Sequence, residues 1–133
     1  MKALKKLGIW MDHSEAHIIE FSSEAKEIGT VKSDFTFEDK EETLQRSENA
    51  MHNKQRDKQR IYFKKLASII RDFGEVLLCG PTDAKVELFN FLRKDNLFQK
   101  IKIEVKNADK MTDAQQHAFV RDYFKKFEFK AVL

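Results

Sequence analysis

The sequence predicts an α/β fold built on one mixed β-sheet, and three observations carry that reading. Strand-like segments crowd the stretch before Phe35, and helix-period and strand-like segments alternate beyond Arg60. One of the later strands, Val76–Cys79 (VLLC), is apolar without alternation, as in a strand covered on both faces between parallel neighbours. A length of 133 residues suits one domain, and 41% hydrophobic with 35% charged residues supports a core and argues against disorder. The single Cys excludes an internal disulfide framework and Cys-based zinc sites, and suits a reducing compartment. No apolar run approaches the ~18 residues of a membrane span. The opening MKALKKLGIWMDH is basic but lacks the apolar stretch of a signal peptide. The expectation is a single cytoplasmic domain over 1–133, with no membrane association and no cofactor.

Leu7–Asp12, Glu15–Phe21 and Lys26–Phe35 are rich in Ile, Val, Thr and Phe, and read as an antiparallel meander with Gly29 marking a bulge or bend. Between Glu38 and Gln55 the only apolar residues are Leu44, Ala50 and Met51. So few apolar groups offset little of the ordering entropy, and 38–55 is expected to be a mobile loop ordered by a partner. A backward extension of the next helix to Ser47 is the alternative. Phe63, Leu66, Ala67 and Ile70 then stand at helical spacing, with Gly74 placed as a C-cap. After VLLC, Gly80-Pro81 breaks the strand and Thr82 or Asp83 can cap a helix whose buried face is Ala84, Leu88, Phe91 and Leu92. Ile101, Ile103 and Val105 alternate with charged residues as a strand wet on one face. Thr112 and Gln115 form a capping box, opening a helix with Val120, Tyr123, Phe124 and Phe127 on one stripe. The tail, 126–133, alternates apolar residues and reads as a short extended segment.

The order βββαβαβα with right-handed crossovers sets the first, fourth and fifth strands parallel in the middle of a five-stranded sheet, with the meander at one edge. That is a ribonuclease H-like topology.

Net charge is only +3, but it is unevenly distributed. Gln45–Lys65 carries seven Lys/Arg against two acids, while Glu38–Glu42 carries four acids and one Lys. Such polarity can steer an anionic partner. Lys54, Arg56, Lys58, Arg60 and Lys64 can neutralise phosphates, and Tyr62 is the one candidate for stacking on a base.

Three stretches together resemble the middle domain of archaeal and eukaryotic peptide-chain release factors and of Pelota, the ribosome-rescue factor. Gly8–Ile19 (GIWMDHSEAHII) resembles that domain's opening hairpin, and Ile61–Ile70 with its basic approach is similar to its long first helix. Val76–Leu92 (VLLCGPTDAKVELFNFL) resembles its apolar strand, Gly-Pro or Gly-Ser turn, and helix with Lys near its start. The match runs over residues 7–125, and the chain looks like a one-domain bacterial-type relative. Release factors carry Gly-Gly-Gln in the loop before the long helix, and Asp39–Arg60 contains no Gly. The resemblance therefore implies a non-hydrolytic, translation-associated module that binds the ribosome or structured RNA; apart from the resemblance, the charged loop 38–55 is a candidate docking site for a protein partner.

Other chemistries are weaker. A metal-dependent nuclease would use Asp12 and Asp83, but two-metal chemistry needs several converging carboxylates, and the VLLC strand ends in Cys79 instead. His13 and His17 have zinc-like spacing across a turn and strand rather than on a helix. Gly80–Lys85 lacks phosphate-loop spacing, and Cys79 reads as a buried thiol. A protein–protein adaptor without an RNA role is the remaining alternative. No catalytic, cofactor-binding or metal-ligating residue is assigned.

Overall fold

The computed structural model describes residues 5–21, 25–33 and 48–132, with side chains described over 5–21, 25–33 and 56–125. The strands are β1 (Lys6–Met11), β2 (Glu15–Phe21), β3 (Ala25–Lys32), β4 (Glu75–Gly80) and β5 (Lys102–Asn107). The helices are α1 (Glu48–Ile70), α2 (Ala84–Arg93) and α3 (Asp113–Val132), with a 3-10 turn at Asn96–Phe98. The five strands form one mixed sheet in the order β3-β2-β1-β4-β5. β1 is antiparallel to β2 and β2 to β3, whereas β1–β4 and β4–β5 are parallel. β5 therefore forms the edge opposite the meander instead of lying in the middle, and the interior strands are β2, β1 and β4. Among the described residues no helix is long and apolar enough to cross a membrane.

Strand alternation divides the core into two layers. Leu7, Ile9 and Met11 of β1, Val76 and Leu78 of β4, and Ala16 and Ile18 of β2 share one face. There they pack with Tyr62, Phe63, Leu66 and Ile70 of α1 and Ala84, Leu88 and Leu92 of α2. Trp10, Ile19, Phe21, Leu77 and Cys79 line the other face, under Val120 and Phe124 of α3. VLLC is thus buried on both sides, as its unbroken apolarity predicts.

Two glycines permit close approaches. A Cβ on Gly8 would stand 2.4 Å and 2.6 Å from the two methyls of Val120, so α3 rests directly on the β1 backbone. Gly80 ends β4 at φ 150°, and a Cβ there would lie 1.9 Å from the Met11 carbonyl oxygen. Gly29 has open space around it. It pairs with Ile18 while Ile19 pairs with Glu27, which leaves Ile28 as the extra residue of a bulge.

Several local expectations change. α1 does not end on Gly74: its last turn tightens, with the Asp72 and Phe73 amides donating to Ile69 and Ile70, and the Gly74 amide joins the Lys5 carbonyl instead. Thr82, not Asp83, supplies the side-chain bond at the start of α2, its hydroxyl accepting from the Ala84 amide at 3.3 Å. The capping box forms in both directions: the Thr112 amide donates to Gln115 Oε1 (2.9 Å) and the Gln115 amide to Thr112 Oγ1 (3.2 Å). The tail is helical to Val132 rather than extended, since nothing after Phe124 breaks the helix. α1 starts at Glu48, so the last eight residues of 38–55 are helical, as in the alternative that extends the helix back to Ser47. The rest of that segment, with its expected mobility and protein partner, lies outside the described residues.

Candidate nucleic-acid interface

At 23 residues α1 is about 35 Å long. Tyr62, Leu66 and Ile70 recur every fourth position, with Phe63 beside them, and this stripe holds the helix on the sheet. Polar ties add to it. The Tyr62 hydroxyl donates to the Asp12 carbonyl (2.9 Å), and Gln59 Nε2 donates to Glu87 Oε2 on α2 (2.6 Å). His13 Nε2 lies 3.1 Å from the same Glu87 oxygen, so the β1–β2 turn, α1 and α2 meet at one carboxylate.

With that face committed, Arg56, Arg60 and Lys64 are exposed and stand four residues apart in a single row. Lys58 is half-buried on the flank, and the Lys54 side chain lies outside the described residues. Arg71, a residue the local charge count does not single out, is also exposed just beyond the helix end. Tyr62 does not fit its expected role. It is 1% exposed, burial pushes its hydroxyl well above the usual range, and no ring face is open to a base. Among the described side chains of α1, the large apolar residue that is exposed is Ile61, at 44%. Tyr62 stands four residues before Leu66 and eight before Ile70, and that spacing is the signal that would have assigned it to the core.

The other candidates resolve into structural roles. Asp12 Oδ1 accepts from the Ser14 and Glu15 amides at 2.7 Å and 2.9 Å, closing the β1–β2 turn. Asp83 is exposed and makes no side-chain cap. His17 is held apart from His13, with Nδ1 at 2.9 Å from Glu27 and Nε2 at 3.5 Å from Glu15. Among the described residues, no group of three metal-ligating side chains comes together. Burial pushes the Cys79 thiol up to about 12, against a smaller opposing pull from Lys85. A neutral thiol bonded to the Ile9 carbonyl is no nucleophile. Lys85 itself is only 3% exposed, its ammonium donating to the Thr82 carbonyl at 2.5 Å.

The fold and the basic row define an α/β domain with one charged helix laid across its sheet. No family model matches the chain, and no curated protein matches it. Among solved structures it is similar to Pelota from Archaeoglobus fulgidus, a protein whose crystal structure shows inter-domain plasticity. The TM-score is 0.59 at 13% identity, over 90% of this chain and 31% of that one. The likeness is one of fold, and this chain spans about a third of the length of that protein.

Proposed function

We propose that the chain is a non-catalytic, translation-associated module that binds ribosomal or other structured RNA in the cytoplasm. Lys54, Arg56, Lys58, Arg60 and Lys64 of α1 bind the phosphates. The observation that carries this reading is the exposed row Arg56–Arg60–Lys64 on a helix fixed to the sheet by Tyr62, Leu66 and Ile70. A helix already held on the sheet presents its cations to a phosphate backbone without the further cost of ordering the main chain on binding. The likeness in fold to Pelota supports the translational setting, and the strand order supports placing the chain with ribonuclease H-like domains that resemble the release-factor middle domain.

Co-sedimentation with ribosomes and filter binding to labelled structured RNA at graded salt test this. Arg56→Gln, Arg60→Gln and Lys64→Gln together should weaken binding and reduce the slope of log K against log salt by about 2–3, roughly one unit for each phosphate left without its cation. An unchanged slope removes α1 from the interface. RNA cleavage in Mg²⁺ that Asp12→Asn abolishes would replace the proposal with the nuclease reading.

A further inference from the structure

On the side of α1 that faces α2, an open groove of about 700 Å³ runs between the end of α1 and the 3-10 turn. That volume falls within the roughly 300–1,000 Å³ of clefts that hold a ligand. Its carbon surface comes from Ala67, Phe91, Leu97 and Phe98, and Lys64, Arg71 and Lys94 stand around it. Among the described residues Leu97 is the most exposed large apolar side chain, at 58%, and it is held there by construction. Asp95 accepts from the Leu97 amide at 2.9 Å, and buried Phe98 anchors the turn to the core. The one acid among the lining residues is therefore engaged in building the turn.

We propose that this groove is a docking site for an acidic segment of a partner protein, a short helix or turn that seats an apolar side chain on Leu97 and Phe91. Carboxylates beside that side chain would face Arg71 and Lys94. Charge complementarity selects the occupant: three cations border a carbon floor, which suits apolar anchors flanked by Asp or Glu. A nucleic acid fits less well. Base stacking needs an open aromatic plane, whereas Phe98 is buried and Phe91 already packs against Phe63 at 5.7 Å between ring centroids. The site is separate from the row on α1 except at Lys64, so the domain would hold RNA and a protein on adjacent surfaces.

The probe is a displayed library of random peptides about 12 residues long, roughly three helical turns, panned against the whole chain. Enriched sequences should place Leu, Phe or Met beside Asp or Glu. A synthetic, fluorescein-labelled copy of the strongest should lose affinity by about ten-fold or more with Leu97→Asp, and again with Arg71→Glu plus Lys94→Glu. All three positions are exposed, so the variants keep the fold, and unchanged circular dichroism and melting confirm that. Binding of RNA by the same variants should retain the slope set by Arg56 and Arg60. Panning that enriches nothing, enrichment without acids, or a peptide indifferent to these substitutions overturns the proposal. Displacement of the peptide by RNA that persists with Arg56→Gln plus Arg60→Gln, where the α1 row is disabled, also overturns it and assigns the groove to nucleic acid.

Discussion

Gly8→Ala places a methyl group against the two methyls of Val120, at 2.4 Å and 2.6 Å, where relaxed carbon atoms need about 3.5–4.0 Å. Val120 is fully buried and stiff at χ1, so it cannot turn both methyls aside, and α3 must lift by about 1 Å instead. Overpacking of this kind costs about 1–3 kcal/mol, from which the lower chain entropy of unfolded Ala recovers about 0.4–1 kcal/mol. The net expectation is a loss of about 1–2 kcal/mol. Val120→Ala alone removes two buried methyls at ~0.8 kcal/mol each and leaves a cavity, for a loss of about 2–3 kcal/mol. In the double variant the methyl introduced on β1 enters that cavity, and the contact that remains, with the Cβ of residue 120 at 3.0 Å, is relieved by a shift of a few tenths of an ångström. Its loss should be about 1.5–2 kcal/mol, some 2 kcal/mol less than the sum of the single changes. Urea unfolding of the four proteins reads this directly, with m-values held constant as the check that only stability has moved. A neutral Gly8→Ala, or a cycle additive within about 0.5 kcal/mol, would refute the close approach of α3 to β1.

Tyr62→Phe should lower stability by about 1 kcal/mol through loss of the bond to the Asp12 carbonyl, while RNA affinity stays unchanged; a drop in affinity at constant stability would return Tyr62 to the interface. Cys79 gives a pH signature. Its thiol titrates near 9.0 when exposed and near 12 in the fold, so the folded state holds a proton that the unfolded chain releases in between. Its contribution is complete below pH 9.0 and falls as pH rises toward 12, at a slope of about 1.4 kcal/mol per pH unit. Cys79→Ala should unfold with a shallower alkaline loss than the parent, and equal slopes would show the thiol to be solvated.

What the sequence disclosed was whatever depends on near neighbours. The unbroken VLLC run marks β4 because burial on both faces forbids alternation, and Thr112 and Gln115 are close enough along the chain to bond each other. Gly29 flags the bulge, although the extra residue is Ile28. What was hidden depends on partners far along the chain. Tyr62 is equally acceptable to water and to a core through its hydroxyl, and the acceptor that decides the matter, the Asp12 carbonyl, is fifty residues away. The first turns of α1 carry no apolar stripe, so a helix from Glu48 has the composition of a loop. Gly74 looks like a cap until the Lys5 carbonyl is known to claim its amide. The groove joins Lys64 and Arg71 to Lys94 and Leu97 across a whole strand and helix, and no local pattern connects them. Within the basic row, spacing on the helix was readable, and outward direction was not until the opposite face had been assigned.

The bulge at Ile28 bears on what happens when copies of this chain collide. A sheet ending in a straight strand offers its outer amides and carbonyls as a template, and a second sheet can grow from it. Among the described residues β3 is the terminal strand on one side of the sheet, and doubling one residue against Ile18 and Ile19 throws its outer hydrogen-bonding groups out of regular step. Lys26 and Lys32, both exposed, set like charges near each end of the strand. A neighbour laid alongside would find neither a continuous ladder nor a neutral rim, which disfavours sheet growth along β3. Restoring register by deleting Ile28 would therefore convert a closed boundary into a site of addition, with fibrous assembly as the outcome.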